Sequence, residues 1–167
     1  MKFTLISLTV LAAFVSSKPL KRDQFSNDAL NLHNTNRAHY GAGPLSYDNN
    51  LASGAASYAA QCHWGHSGGN YGENLWSLST SGGTIQAAVQ SWMNEASQYD
   101  YNNPGFSAAT GHFTQVVWKA TTTLGCASHV CNTGSPFGSG EWTYIVCRYT
   151  PPGNFLGQFP QNVGRPQ

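Results

Sequence analysis

Four side chains that can bind metals or transfer protons are spread along the sequence, at His66, Glu73, Glu95 and His112. Imidazole and carboxylate groups are what a divalent metal site or an acid–base pair requires. His63 is a rival ligand, because it stands at the HxxH spacing from His66. The sequence holds no HExxH motif, P-loop or dinucleotide-binding fingerprint, so these residues match none of those common catalytic or nucleotide signatures.

The start of the chain predicts a secreted protein. Residues 1–17 have the charged, apolar and small-residue regions of a signal peptide. Residues 18–22 are a possible pro-segment, because Lys21-Arg22 resembles a dibasic processing site of the kind common in fungal secretory proteins. No later stretch reaches about 18 consecutive apolar residues, so we expect no membrane span. The four cysteines fit an oxidising, extracellular compartment, and sequence alone allows three pairings.

Composition favours one folded domain over residues 23–167 and argues against a nucleic-acid partner. The 167-residue chain is 40% hydrophobic, which is enough apolar surface for a core. From Asp23 onward it has four basic and seven acidic residues, a net charge of −3 with histidine neutral. A surface so poor in lysine and arginine cannot neutralise many phosphates, so nucleic acid is not expected as a partner.

Helical periodicity comes first along the chain and strand periodicity later. Apolar spacing and capping residues predict helices over 26–39, 47–61 and 84–99, the first capped within Ser26-Asn27-Asp28. A period of two predicts a strand over 112–119, and strands are also expected over 125–130 and 142–150, with a hairpin loop at 134–140. This order favours an α+β domain. One disulfide should tie Cys62, at the end of the second helix, to the sheet.

Two segments then carry a family resemblance: residues 111–118, Gly-His-Phe-Thr-Gln-Val-Val-Trp, and residues 144–154, Tyr-Ile-Val-Cys-Arg-Tyr-Thr-Pro-Pro-Gly-Asn. They closely resemble the signatures of the CAP superfamily of cysteine-rich secretory proteins, antigen 5 and plant pathogenesis-related class 1 proteins. Residues 66–74 and 92–95 match in the same order. The resemblance implies a secreted, fungal-type member with a three-layer α-β-α sandwich. It also implies the disulfides Cys62–Cys131 and Cys126–Cys147.

The same resemblance implies that His66, Glu73, Glu95 and His112 converge in one cleft, from a loop, a second loop, a helix and a strand. His66 and His112 would hold a divalent cation, Zn²⁺ or Mg²⁺, while the glutamates orient the rings or bound waters. The resemblance implies that His66 is the histidine in the cleft and that the His63 side chain lies at the surface. The alternative is purely structural: Glu73 and Glu95 cap loop amides and pair with the histidines without any ligand.

A loop rich in aromatic residues lies between the third helix and the signature segment at 111–118. It resembles the sterol-binding loop of some family members, although Ala109 stands where a further aromatic residue is expected. The candidate lipid-binding residues are Tyr99, Tyr101, Pro104, Gly105 and Phe106. The alternative is that these aromatic side chains pack inward onto the third helix.

We therefore expect a lipid-binding protein that takes a sterol or a fatty acid without catalysis, in a virulence, defence or lipid-export role. The fatty-acid groove of the family lies between the first and third helices; the polar first helix permits that groove but does not establish it. One alternative is a metal-dependent hydrolase, such as a protease, with Glu73 or Glu95 as the base. Another is an effector that acts through a host protein partner. The oligomeric state is left open.

Overall fold

The computed structural model describes residues 23–167, so the predicted signal peptide and pro-segment lie outside the described residues. In chain order the elements are α1 (Gln24–His39), β1 (Ser46–Tyr47), α2 (Asn49–Ala59), β2 (Gly72–Leu78), α3 (Ile85–Asn94), a 3₁₀ turn (Glu95–Gln98), α4 (Gly111–Val116), β3 (Thr123–Cys131), β4 (Trp142–Thr150) and α5 (Phe159–Asn162). Across this part of the chain, no helix has the length and apolar character needed to cross a membrane.

The three predicted helices are confirmed, and polar caps set where they begin. Asp23 accepts a hydrogen bond from the Ser26 amide at 2.8 Å, so α1 begins before the predicted cap at 26–28. Asp48 caps α2, and Thr84 caps α3. Each cap satisfies an amide that the first helical turn leaves without an intrahelical partner. The third helix ends earlier than predicted, at Asn94, and continues as the 3₁₀ turn.

A four-stranded sheet in the order β1-β3-β4-β2 forms the middle layer of the domain. β4 pairs antiparallel with β2 and β3, while β1 adds a short parallel edge to β3. Alternate side chains of β4 enter two separate cores: Ile145, Cys147 and Tyr149 pack with α1, α3 and α4, and Tyr144 and Val146 pack with α2. Both faces of the sheet are therefore covered, which confirms the three-layer α-β-α sandwich.

The strand predicted over 112–119 is wrong, because residues 111–116 form the short helix α4. Consecutive side chains from Phe113 to Val116 are all buried, so the alternation of polar and apolar residues does not separate a solvent face from a core face. Glu95 accepts hydrogen bonds from the amides of His112 and Phe113, both at 3.0 Å. This side chain, 17 residues away, stabilises a helical start that local periodicity does not reveal.

The structure contains the strand β2, which the sequence reading missed. Glu73 therefore lies in an edge strand, directly opposite Arg148 of β4, rather than in a loop. The predicted strands at 125–130 and 142–150 are confirmed as β3 and β4, with residues 134–140 in the loop between them.

The two disulfides are Cys62–Cys131 and Cys126–Cys147, the pairing that the resemblance implied. Cys62–Cys131 joins the segment after α2 to the end of β3. Cys126–Cys147 links residues directly opposite each other on β3 and β4.

Candidate functional site

The four candidate residues come from four different elements. His66 lies in the loop before β2, Glu73 in β2, Glu95 at the start of the 3₁₀ turn, and His112 in α4. His66, Glu73 and His112 line one cleft of about 200 Å³, and Glu95 reaches it through a hydrogen bond to His112. The placement of Glu73 in a loop and of His112 in a strand was wrong, yet the side chains still meet.

Glu73 organises one side of the cleft. Its Oε1 atom lies 3.1 Å from Nδ1 of His66 and accepts a hydrogen bond from the Ser67 amide at 2.9 Å. Its Oε2 atom accepts from the Ser67 hydroxyl and from Nε of Arg148, the latter at 3.1 Å. The guanidinium of Arg148 also donates to the Ser67 hydroxyl at 2.9 Å and lies 4.2 Å from the centre of the Tyr71 ring. Glu73 is thus held by four donors.

These contacts determine the charge state of Glu73. Burial of the carboxyl group raises its pKa, but hydrogen bonds from His66, Ser67 and Arg148 outweigh burial and lower the pKa to about 2. The side chain is only 5% exposed. Glu73 is therefore a carboxylate at all physiological pH values and a poor proton acceptor.

Glu95 organises the other side of the cleft. One carboxylate oxygen caps the first amides of α4, and the other lies 2.6 Å from Nδ1 of His112. The His112 ring stacks on Trp92 with the planes 17° apart, and the His112 carbonyl accepts from Asn74 at 3.0 Å. Backbone, ring face and Nδ1 of His112 are all held, so its orientation is well defined.

The loop that carries His66 is held in place by two tyrosine hydroxyls. The hydroxyls of Tyr58 and Tyr144 both donate to the carbonyl of Gly65, at 2.6 and 3.1 Å. Gly72, at the start of β2, has no room for a side chain, because a Cβ atom there would collide with the amide of Gln115. The Gln115 amide oxygen in turn accepts from the amide of Gly153 at 2.9 Å.

The donor set of the cleft fits a divalent cation held by two histidines. In each histidine Nδ1 faces a glutamate, which leaves Nε2 as the remaining nitrogen of the ring. In metal-binding histidines, the ring nitrogen that does not bind the metal is usually held by a carboxylate, which fixes the ring and raises its basicity. His63 is exposed and does not line the cleft. The same contacts also perform the structural role of the alternative, capping loop and helix amides.

A separate His/Cys group is formed by Cys62, His129 and Cys131, whose ligand atoms lie within 4.8 Å of one another. Both sulfur atoms are joined in the Cys62–Cys131 disulfide, so neither is available as a thiolate ligand. In the sheet this group lies away from the cleft, because Cys131 is opposite Trp142 at the start of β4 whereas Glu73 is opposite Arg148 near its end.

The aromatic loop divides into an inner and an outer part. Tyr99 is buried, with its ring 4.8 Å from that of Tyr101 and 5.8 Å from that of Phe113. Phe106 is 55% exposed. It lines both the cleft and a neighbouring cavity of about 260 Å³ that Tyr99, Pro104 and Gly105 also line. Two of the three aromatic side chains therefore pack inward, and one stands at the surface.

Sequence reasoning missed Arg148, Ser67 and Trp92 as parts of this site. Arg148 lies within the family-like segment at 144–154. Its contact with Glu73 depends on the pairing of β2 with β4, and β2 was not predicted. Ser67 follows His66 directly, and no local pattern indicates that it donates to Glu73. Trp92 carried a helical-core signal, and its stacking on His112 has no local signature.

Comparison with known proteins identifies the family. The family model for the cysteine-rich secretory protein (CAP) family matches residues 30–149. The chain belongs to this family, and the four-element cleft lies within or beside the matched region.

The relatives include a yeast protein and a plant protein. Protein PRY2 of Saccharomyces cerevisiae is 45% identical over 145 residues, which cover 83% of this chain and 41% of PRY2. Pathogenesis-related protein 1 of Arabidopsis thaliana is 42% identical over 161 residues, covering 92% of this chain and 94% of that protein. The crystal structure of NaASP2 with Zn²⁺ has a TM-score of 0.70 at 24% identity, over 86% and 88% of the two chains, and shows the shared fold. This chain spans less than half the length of PRY2.

Proposed function

We propose that this protein is secreted and binds a small hydrophobic ligand, a sterol or a fatty acid, without transforming it. The observation that carries the proposal is Phe106, a 55% exposed aromatic ring in the wall between two adjoining cavities. When a ligand covers an apolar ring at the opening of a cavity, the complex is stabilised by about 25 cal/mol per Å² of apolar surface buried. Family membership and two disulfides support secretion. We propose a virulence, defence or lipid-export role for such binding.

We further propose that His66 and His112 hold a divalent cation, Zn²⁺ or Mg²⁺, through their Nε2 atoms. The two histidine–glutamate pairs support this, and NaASP2, which shares the fold, was crystallised with Zn²⁺. When bound, the cation would supply a positive charge at the cleft. The chain itself orients both rings: Glu73 holds His66, Glu95 holds His112, and Trp92 supports the His112 ring.

The hydrolase alternative has less support, because neither carboxylate is placed to act as a base. Glu73 is engaged by Ser67, His66 and Arg148, and its low pKa makes proton abstraction unfavourable. Glu95 is committed to the α4 amides and to His112. Both side chains are better suited to positioning than to proton transfer.

Equilibrium binding of a labelled sterol and a labelled fatty acid to the disulfide-intact protein tests the proposal. We expect saturable binding that weakens about tenfold or more in Phe106→Ala, the size expected for losing most of one buried aromatic contact. Phe137→Ala is the matched control, because Phe137 is 51% exposed in the β3–β4 loop, at the far end of the sheet from the cleft.

The outcomes separate the alternatives. Equal loss in both variants, or none in Phe106→Ala, contradicts the role of the aromatic loop. No binding of either lipid contradicts the lipid proposal and favours the protein-partner alternative. Repeating the titration with a chelator shows whether the His66–His112 cation contributes to lipid affinity.

A further inference from the structure

We infer that Phe106, Phe155 and Leu156, here called the apolar rim, dock this protein on an uncharged lipid bilayer such as phosphatidylcholine, with the His66–His112 cleft beside the membrane. The purpose of such docking, exchange of lipid with a membrane, rests on the proposed lipid-binding function. The docking itself is a separate property of the surface.

The three side chains come from two loops that both contribute to the lining of the cleft, through Phe106 and through Asn154. Asn154 lines the cleft together with Phe106, and its amide donates to the carbonyl of Gly111 at 2.9 Å. Gly111 also packs against the Phe106 ring. A Cβ atom added to Gly111 would lie 3.0 Å from a ring carbon of Phe106. Phe155 and Leu156 follow Asn154 directly in the chain. The loop at 99–106 and the loop after β4 therefore bracket the same mouth.

The exposure of Phe155 and Leu156 is maintained by anchors on both sides. Asn154 adopts the left-handed backbone conformation, with φ at 62°, and accepts a hydrogen bond from the Thr114 hydroxyl at 2.6 Å. The Gln158 amide donates to the Phe155 carbonyl at 3.0 Å and closes a turn. Next, Phe159 is fully buried, with its ring 5.1 Å from that of Trp118. The fold thus fixes a short tip on which Leu156 is 82% exposed and Phe155 49% exposed.

The charge pattern indicates which surface the rim fits. Residues 101–118 and 149–164, which contain the whole rim, include no lysine, arginine, aspartate or glutamate. The charged residues that border the first loop have opposite signs: Asp100 precedes Tyr101, and Arg165 donates to Asn102 at 3.1 Å. An anionic membrane attracts clusters of lysine and arginine, which these two loops do not contain. Phenylalanine and leucine on an uncharged projection are instead suited to the boundary between lipid headgroups and acyl chains. A neutral bilayer therefore fits these two loops best.

Vesicle flotation with the disulfide-intact protein tests docking without any added sterol or fatty acid. We expect the protein to associate with phosphatidylcholine vesicles, with little change when salt is raised. Phe155→Ala/Leu156→Ala should weaken vesicle partitioning about tenfold or more, because two exposed apolar side chains no longer enter the interface. Leu156→Ala alone should give a smaller loss and cannot disturb the core. Phe137→Ala, at the opposite end of the sheet, should partition like the unchanged protein.

Failure of docking and failure of the proposed function can be told apart. Sterol binding in solution, delivered from a soluble carrier, should be unchanged in Leu156→Ala, while transfer of sterol from vesicles should slow. Absence of vesicle association, association only with anionic vesicles at low salt, or equal partitioning of the double variant overturns docking. Vesicle association without any sterol or fatty-acid binding overturns the proposed function and leaves docking intact.

Discussion

Single side chains in the cleft perform two tasks at once. Glu73 neutralises the buried Arg148 and holds His66, while Glu95 caps α4 and holds His112. The structural interpretation and the metal-site interpretation are therefore compatible, since a glutamate that fixes Nδ1 leaves Nε2 of the same ring for a ligand. The measured affinity of the cleft for a divalent cation distinguishes the two interpretations.

The low pKa of Glu73 makes stability depend on acidity. Since the folded-state pKa is about 2 and the ordinary value is 4.5, folding is favoured by the ionised carboxylate above pH 4.5. That stabilisation, about 3 kcal/mol, disappears as the pH falls from about 5 towards 2. We expect Glu73→Gln to be less stable at pH 7 by a similar amount and to lose less stability on acidification. Denaturant unfolding at a series of pH values measures both.

Glu141→Gln is the control for this experiment, because Glu141 is exposed. This variant should keep the steep acid dependence of the unchanged protein. If Glu73→Gln also keeps it, the hydrogen-bond network around Glu73 does not determine the acid stability.

The two neighbouring histidines should differ in metal affinity. His66 lines the cleft with Nδ1 held by Glu73, whereas His63 is exposed and outside it. We expect His66→Ala to weaken Zn²⁺ binding at least about tenfold, as losing one of two protein ligands should, and His63→Ala to leave it unchanged. Calorimetric titration of the metal-free protein measures this. The reverse order would show that the HxxH spacing, rather than the cleft, determines the metal ligand.

At the scale of elements, α4 and β2 are the two that local sequence patterns did not predict correctly. The three long helices were predictable because caps and apolar spacing act within a few residues. α4 has six residues, and its capping group, Glu95, comes from a distant turn. Its strand-like composition was outweighed by burial on all sides. β2 is stabilised largely by pairing with β4, so its own residues carry a weak signal.

α1 shows how an element with a polar sequence can still be central. His33 is fully buried and lies 2.9 Å from the Tyr149 hydroxyl through Nε2. The buried guanidinium of Arg37 donates to the carbonyls of Val116, Trp118 and Thr121. These polar residues connect α1 to the sheet and to the segment after α4. The polar character of this helix therefore has two sources: His33 and Arg37 make internal hydrogen bonds, while other polar residues such as Asn31 and Thr35 are exposed to solvent.

At the scale of the whole molecule, the Cys62–Cys131 disulfide joins the α2 layer to the sheet across 69 residues of sequence. A cross-link over such a separation restricts the unfolded chain and stabilises the folded state by about 4 kcal/mol in the chain-entropy estimate. Cys126–Cys147 spans 21 residues and is expected to contribute about 3 kcal/mol by the same estimate.

We expect Cys62→Ala/Cys131→Ala to lower the free energy of unfolding by about 4 kcal/mol, with the cleft still formed because Glu73 and Glu95 hold it independently. Guanidinium unfolding measures the stability, and Zn²⁺ titration of the folded variant reports on the cleft. An unchanged unfolding midpoint would show that the layers are held by packing alone. Loss of metal affinity in a folded variant would show that the bridge positions His66.

Local patterns were sufficient to predict the α+β class, the three long helices and the chemistry of the candidate residues, and the resemblance of two segments predicted the family. These are carried by local spacing or by residue identity, which a linear sequence displays directly. The tertiary structure was needed to show that residues 111–116 are helical, that Arg148 completes the Glu73 site, and that Phe106 and Asn154 line one cleft. Each of these depends on groups far apart in the chain, whose contacts form only when the layers pack together.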